Sequence, residues 1–257
     1  MSKMSPREVA LQAEFDAFYT ATASSDLLPR LHAEALGDAC PSEVEAYSSC
    51  NWNLLGTALS RLRMRPGQLL ADIGCGTGGV GLWLARALAV NLVGVDLSRT
   101  AVELAMARRS DFVPPERARF QVGTVRATGL SDQCAQGAIC VDVVVGTAEW
   151  AATLQELHRI LEPGSRAVLT RTVRAGSGTV WKPQVENAGF EIEDVCERPE
   201  EPQIWRSLYH LWISRERELR RALGDALADT LLKEAREVLP RLGRHRSSLV
   251  TLRRRAT

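Results

Sequence analysis

The chain has 257 residues, 45% of them apolar, and a formal net charge of +1. That length suits one large α/β domain, or one domain with a helical cap, and supplies ample apolar side chains for a core. The near-neutral balance gives no field to gather nucleic acid or a membrane surface, and no run approaches the roughly 18–20 apolar residues of a membrane span.

Met1 to Ala10 is polar and charged and lacks the apolar core of a signal peptide, so a cytoplasmic protein is expected. Residues 7–37 read as helices, with Phe15, Phe18, Tyr19, Leu27, Leu28 and Leu31 at helical spacing. Cys40-Pro41 interrupts them. A further helical stretch, Asn51 to Arg63, carries Trp52, Leu54, Leu55 and Leu59, and Pro66-Gly67 is a turn into the first strand. Strands are expected at 69–73, 91–95, 118–122, 137–142 and 166–170, with helices around 79–88, 98–109 and 151–161 between them. Apolar runs separated by helical patterns imply a parallel sheet covered on both faces.

Beyond Arg171 a helix ends near Val185-Glu186-Asn187-Ala188-Gly189, and a sixth strand occupies 190–195. Glu197 to Pro202 reads as an acidic, proline-containing linker, followed by helices at about 203–223 and 225–238. Ser247 to Arg253 alternates apolar and polar residues, as a last antiparallel strand does, and Arg253-Arg254-Arg255 reads as a solvated tail. The basic residues are nearly all Arg, with Lys only at positions 3, 182 and 233, a bias that fits a GC-rich genome. The six cysteines, at 40, 50, 75, 134, 140 and 196, form no C-x-x-C pair and no zinc-like grouping. A reduced protein without a metal is expected.

The densest information lies in Leu70-Ala71-Asp72-Ile73-Gly74-Cys75-Gly76-Thr77-Gly78-Gly79. A strand delivers an acid and then a glycine-rich turn, where the missing Cβ lets backbone approach a ligand. The next strand, Leu92-Val93-Gly94-Val95, ends in Asp96, placed to accept hydrogen bonds from ribose hydroxyls. A second role is open to Asp96, that of helix N-cap. No Lys-Ser/Thr pair follows the glycines, which excludes a nucleotide P-loop. Asp72 would repel a pyrophosphate but suits a cationic amino-acid group.

This combination, with Val93-Gly94-Val95-Asp96-Leu97-Ser98, closely resembles the class I S-adenosylmethionine (SAM) methyltransferases. The similarity extends from about Pro66 to the C-terminus. It includes Leu157-His158-Arg159-Ile160-Leu161-Glu162-Pro163-Gly164 before the fifth strand and Ala188-Gly189-Phe190 before the sixth. It is nearest to the branch acting on quinones, sterols and bacterial secondary metabolites, antibiotics included. The resemblance implies an α/β, Rossmann-like, seven-stranded mixed sheet of order 3-2-1-4-5-7-6. It also implies a helical cap over residues 1–64 and a SAM-binding domain over 65–257, with a helical insertion at about 203–240.

By the same resemblance, Asp72, Gly74, Cys75 and Gly76 cradle the amino-acid end of SAM, Asp96 holds the ribose and Leu97 covers adenine. Relatives commonly carry an acid at the position of Thr124. Here Thr124 and Val125 face the adenine, with the Thr124 hydroxyl accepting from its amine, or Asp132 or water substituting. Asp142, ending the fourth strand, and Glu149, in the loop over the methyl donor, lie near the reaction centre. Among the four histidines, His210 is the leading candidate general base, with Glu149 beside it; His32 in the cap is a further candidate, whereas His158 and His245 read as surface residues.

Aromatic residues of the cap and insertion, among them Tyr19, Trp52, Trp150 and Tyr209, are expected to line an apolar acceptor site. The expected activity is methyl transfer to O, N or C of a small aromatic or terpenoid-like metabolite, releasing S-adenosylhomocysteine. Partners are the small-molecule acceptor, without nucleic acid or membrane, and the oligomeric state is open, a homodimer included. Two rivals are a related protein using SAM as scaffold for a cyclisation or rearrangement, and a non-catalytic module on the same fold.

Overall fold

A computed structural model describes residues 4–143, 147–176 and 181–256. Its centre is a seven-stranded sheet of order β3-β2-β1-β4-β5-β7-β6. The strands are β1 (Leu69–Ile73), β2 (Asn91–Asp96), β3 (Ala118–Val122), β4 (Ala135–Cys140), β5 (Leu161–Arg174), β6 (Phe190–Glu197) and β7 (His245–Arg254). The first five run parallel and β7 is antiparallel to both neighbours, as the resemblance implied. The chain order reverses between β1 and β4, and open α/β sheets bind ligands outside the carboxyl ends of the strands at such a switch.

The strands are apolar through their length because both faces are covered. On one face α3 (Trp52–Leu62), α4 (Gly79–Leu88) and α5 (Arg99–Arg108) pack around Leu55, Leu70, Leu82 and Leu92. On the other, α6 (Thr147–Ile160) and α7 (Trp181–Asn187) pack around Trp150, Leu157, Val185 and Phe190. Local signals set the helix starts. Asn51 caps α3 by accepting from Leu54 N at 2.8 Å, and Ser98 caps α5 by accepting from Ala101 N at 3.1 Å.

A third apolar cluster forms the cap. It joins α2 (Leu27–Leu36) to α8 (Glu201–Ser214), α9 (Glu216–Leu223) and α10 (Asp225–Val238) through Leu28, Leu31, Leu208, Trp212 and Leu232. Each such leucine contributes about 1.5–3 kcal/mol by leaving water. The cap is thus built from both the N-terminal helices and the late insertion, whereas α3 belongs to the sheet. The first helix, α1 (Pro6–Ala23), begins at a capping box between Ser5 and Glu8 and lies against α5. No helix among the described residues is long and apolar enough to cross a membrane.

Glu197 to Pro202 is not a solvated linker. β6 runs through Glu197, and Arg198 and Glu201 are buried at 3% and 7% exposure. The acidic letters concealed a polar junction between the sheet and α8.

Candidate functional site

The glycine turn joins β1 to α4 with Gly74, Gly76 and Gly78 all at positive φ. At Gly74 a Cβ would fall 2.3 Å from a Val143 methyl, so both geometry and space demand glycine there. The Gly74 and Cys75 amides donate to Val95 O at 2.7 and 3.1 Å, tying the turn to the end of β2. The Cys75 thiol packs beneath the turn, near Gly94 and Phe120, so Cys75 offers a ligand only its backbone.

Asp96 closes the other side. One carboxylate oxygen accepts from Gly76 N and the other from Ser98 N, both at 2.8 Å. The α5 cap is Ser98, so Asp96 is not the helix N-cap. Burial holds its carboxyl above the ordinary range despite those amides. A carboxylate oxygen has two acceptor positions, so each can still receive a hydroxyl.

Asp72 is 2% exposed and accepts from Gly81 N at 3.1 Å. Burial, and then the charge of Asp96, push its pKa up to about 7. Among the described residues no Arg, Lys or His pairs with either acid. Two desolvated carboxylates flanking a glycine cradle are unfavourable alone and fit a ligand bearing a cation and a ribose diol. The residues present therefore fit SAM: Asp72 would hold its cationic amino-acid end and Asp96 its ribose hydroxyls, and SAM would supply a methyl group already on a good leaving group.

Helix α1 lies over this cradle. Gln12 donates to Leu97 O at 2.7 Å, while Asp16 accepts from Ser98 Oγ at 2.5 Å and Thr100 N at 3.0 Å. The Tyr19 hydroxyl sits 2.8 Å from where a Gly76 Cβ would be, with its ring edge-on to Phe18 and Tyr47. The structure thus places Tyr19 at the glycine turn. The sequence held no signal for this closure, because α1 and β2 are some 80 residues apart.

Thr124 forms a tight turn in which its hydroxyl accepts from Arg126 N at 3.3 Å and Ala127 N at 3.0 Å. Its lone pairs are engaged, so it retains one donor and is not the expected acceptor for an adenine amine. Val125 beside it packs partly into the cluster under α6. Asp132 is bound by Arg159 at 2.5 Å on an exposed edge.

Asp142 follows β4 at φ +57°, an unusual conformation for a non-glycine residue. Its carboxylate accepts from both Ser49 N and Ser49 Oγ at 2.6 Å, so it turns toward the cap segment. Arg198 reaches Ser49 Oγ at 2.9 Å and Ser49 O at 2.6 Å. Glu201 accepts from Ser247 Oγ at 2.7 Å, and burial raises its pKa. Sequence reasoning missed Ser49, Arg198 and Glu201. The only available signal was an Arg flanked by acids beside a strand end.

Other expected residues do not converge. His210 is exposed on α8, because Leu208, Tyr209 and Trp212 take the buried side of that helix. Glu149 is ion-paired with Arg7 at 3.3 Å. Trp150 is fully buried, edge-on to Trp181 with the Arg171 guanidinium 4.5 Å over its ring, so it packs the core and cannot line an acceptor site. Trp52 is 42% exposed and rests on Trp83 outside the sheet. Tyr209 is buried in the cap and donates to Glu234 at 2.8 Å. These aromatics obey helical spacing and pack against neighbours, and the structure does not bring them together at one site. Of the loop expected over the donor, 143–150, residues 144–146 lie outside the described residues.

Residues 70–164 match the methyltransferase domain family. An O-methyltransferase from Pyrenophora dematioidea is 26% identical over 153 residues, covering 60% of this chain and 51% of its own length. The chain spans about half the length of the curated relatives it matches. In structure it resembles the [4+2]-cyclase SpnF, with a TM-score of 0.73 and 20% identity over 90% of this chain and 94% of that one. It also resembles a phosphoethanolamine N-methyltransferase 2 from Haemonchus contortus, solved with phosphomonomethylethanolamine and S-adenosylhomocysteine. There the TM-score is 0.68 and identity 17%, over 94% of this chain and 60% of that one. The strand order is that of the Rossmann-like methyltransferase fold, and the segment that matches the methyltransferase domain holds the glycine cradle and both acids.

Proposed function

We propose that this protein transfers the methyl group of SAM to a small apolar metabolite, aromatic or terpenoid-like, in secondary metabolism, with oxygen as the receiving atom. The observation that carries this reading is Asp72, a buried carboxylate with no cation beside it among the described residues, one strand from the buried Asp96. The apolar cap beside the cradle supports an apolar acceptor, and the fungal relative named an O-methyltransferase supports oxygen. Since the sulfonium is a good leaving group, holding the acceptor in line supplies much of the rate. That fits a site in which His210 and Glu149 are not gathered as a catalytic pair.

Calorimetry with SAM and with S-adenosylhomocysteine tests the donor site; failure of both to bind would favour a non-catalytic module. Product mass tests the reaction. One methyl gained per acceptor, with one S-adenosylhomocysteine released, is expected. The likeness to a [4+2]-cyclase supports a second reading, in which SAM stays intact while an acceptor is cyclised or rearranged. A product isomeric with its substrate and no S-adenosylhomocysteine would establish that instead.

A further inference from the structure

Helix α1 meets the donor cradle along one face. Glu8, Gln12, Asp16 and Tyr19 follow one another at four, four and three residues, so they form a single stripe on the helix. At about 1.5 Å per residue that stripe runs roughly 16 Å. The carboxyl ends of β3, β2 and β1, spaced about 4.8 Å apart, span roughly 10 Å, so one helix can pass over all three. The contacts follow that order. Glu8 pairs with Arg126 at 3.0 Å in the turn after β3, Gln12 and Asp16 reach Leu97 and Ser98 after β2, and the Tyr19 hydroxyl meets Gly76 after β1.

A donor with its amino-acid end at the β1 turn and its ribose at Asp96 on β2 would carry its base toward the end of β3, the next strand in the sheet. Adenine offers ring nitrogens that accept and an amine that donates. The amine needs an acceptor, and the Thr124 hydroxyl is already occupied by two amides. The acids near this end are engaged too. Glu8 is bound by Ser5 and Arg126, Asp16 by Ser98 and Thr100, and Asp132 by Arg159.

Gln12 differs from them. Its Nε2 donates to Leu97 O at 2.7 Å. A backbone carbonyl only accepts, so that bond fixes which end of the amide is nitrogen and which is oxygen. The residue is half-buried, and its Oε1 accepts from no described residue while keeping accessible surface, so both of its lone pairs are open to a ligand. Leu97 directly follows Asp96, so the Gln12 amide is anchored one residue from the proposed ribose contact.

We propose that Gln12 Oε1 accepts a hydrogen bond from the amine of adenine, so that the N-terminal helix, and not the turn after β3, reads the base. This rests on SAM being the ligand of the cradle. The same amide seats α1 on Leu97, so an amine on Oε1 polarises it and strengthens its donation to Leu97 O. Binding of the base and seating of α1 are thereby linked.

The test is calorimetry on the full chain with S-adenosylhomocysteine and with its 6-desamino analogue, in which purine replaces adenine. The wild type should bind S-adenosylhomocysteine about 3–10-fold more tightly, the worth of one neutral hydrogen bond. Gln12→Leu should abolish that preference, whatever it does to both affinities through the seating of α1. Gln12→Glu, which keeps an acceptor oxygen, should retain part of it, and Thr124→Val should retain it in full. In the wild type, the side-chain carbonyl of carbon-13-labelled Gln12 should shift further with S-adenosylhomocysteine than with the analogue, a readout that needs no variant to fold. A preference surviving in Gln12→Leu, one lost in Thr124→Val, or equal carbonyl shifts would overturn the proposal. Equal wild-type affinities for the two ligands would overturn it and leave the donor site standing, whereas binding of neither would overturn both.

Discussion

Replacing Asp72 by Asn should make the protein more stable at alkaline pH while weakening its hold on SAM. The carboxyl of Asp72 is buried at 2% exposure, and burial with the Asp96 charge raises its pKa from 3.8 to about 7. A carboxyl with a raised folded pKa binds its proton more tightly in the folded state than in the unfolded one. Between the two pKa values the folded state therefore carries the extra proton, and stability falls as pH rises through that window. Each pH unit is worth about 1.4 kcal/mol, so the wild type should lose about 3 kcal/mol between pH 5 and pH 8 from this group. Asn cannot ionise, and its side-chain oxygen can still accept from Gly81 N. The assay is urea unfolding of both proteins at pH 5, 6, 7 and 8. The Asn variant should lack the wild-type decline, so the gap between them should change by about 2–3 kcal/mol in its favour. Parallel pH profiles would refute the assignment of Asp72 as a desolvated, unpaired acid. SAM supplies the missing cation, so wild-type affinity for it should fall as pH drops below about 7, by up to about tenfold per unit.

Asp96→Ala removes the proposed acceptor for two ribose hydroxyls; charged hydrogen bonds are worth about 1.5–3 kcal/mol each, so calorimetry should show SAM affinity reduced about 100-fold or more. Gly79→Ala would place a Cβ 1.8 Å from the Val44 carbonyl, forcing the 40–50 segment off α4. A destabilisation of about 1–3 kcal/mol is expected in urea, with an unchanged midpoint as the contrary result. Arg198→Ala strips Ser49 of its buried guanidinium partner and should cost about 3 kcal/mol by the same unfolding measurement.

The parallel sheet and the donor cradle were legible in the sequence, because both follow from local order. Apolar runs at strand length, a turn that only glycine can make, and an acid at each strand end are written within the stretch from Leu70 to Asp96. The family match over 70–164 covers that same segment. The acceptor side was not legible. Ser49, Asp142, Arg198 and Glu201 come together from segments up to about 150 residues apart, and helical periodicity cannot say which aromatic faces a cavity. Trp150 and Tyr209 have the spacing of core residues and are core residues, whereas His32, an ordinary histidine on an apolar helix, is buried with an unpartnered ring nitrogen. Sequence by itself determined the alternating strands and helices and the acid-flanked glycine turn, through period, glycine and charge, while the strand order came from the family resemblance. Tertiary structure alone decided which groups are left buried without partners, because desolvation belongs to the packed chain and not to any segment of it.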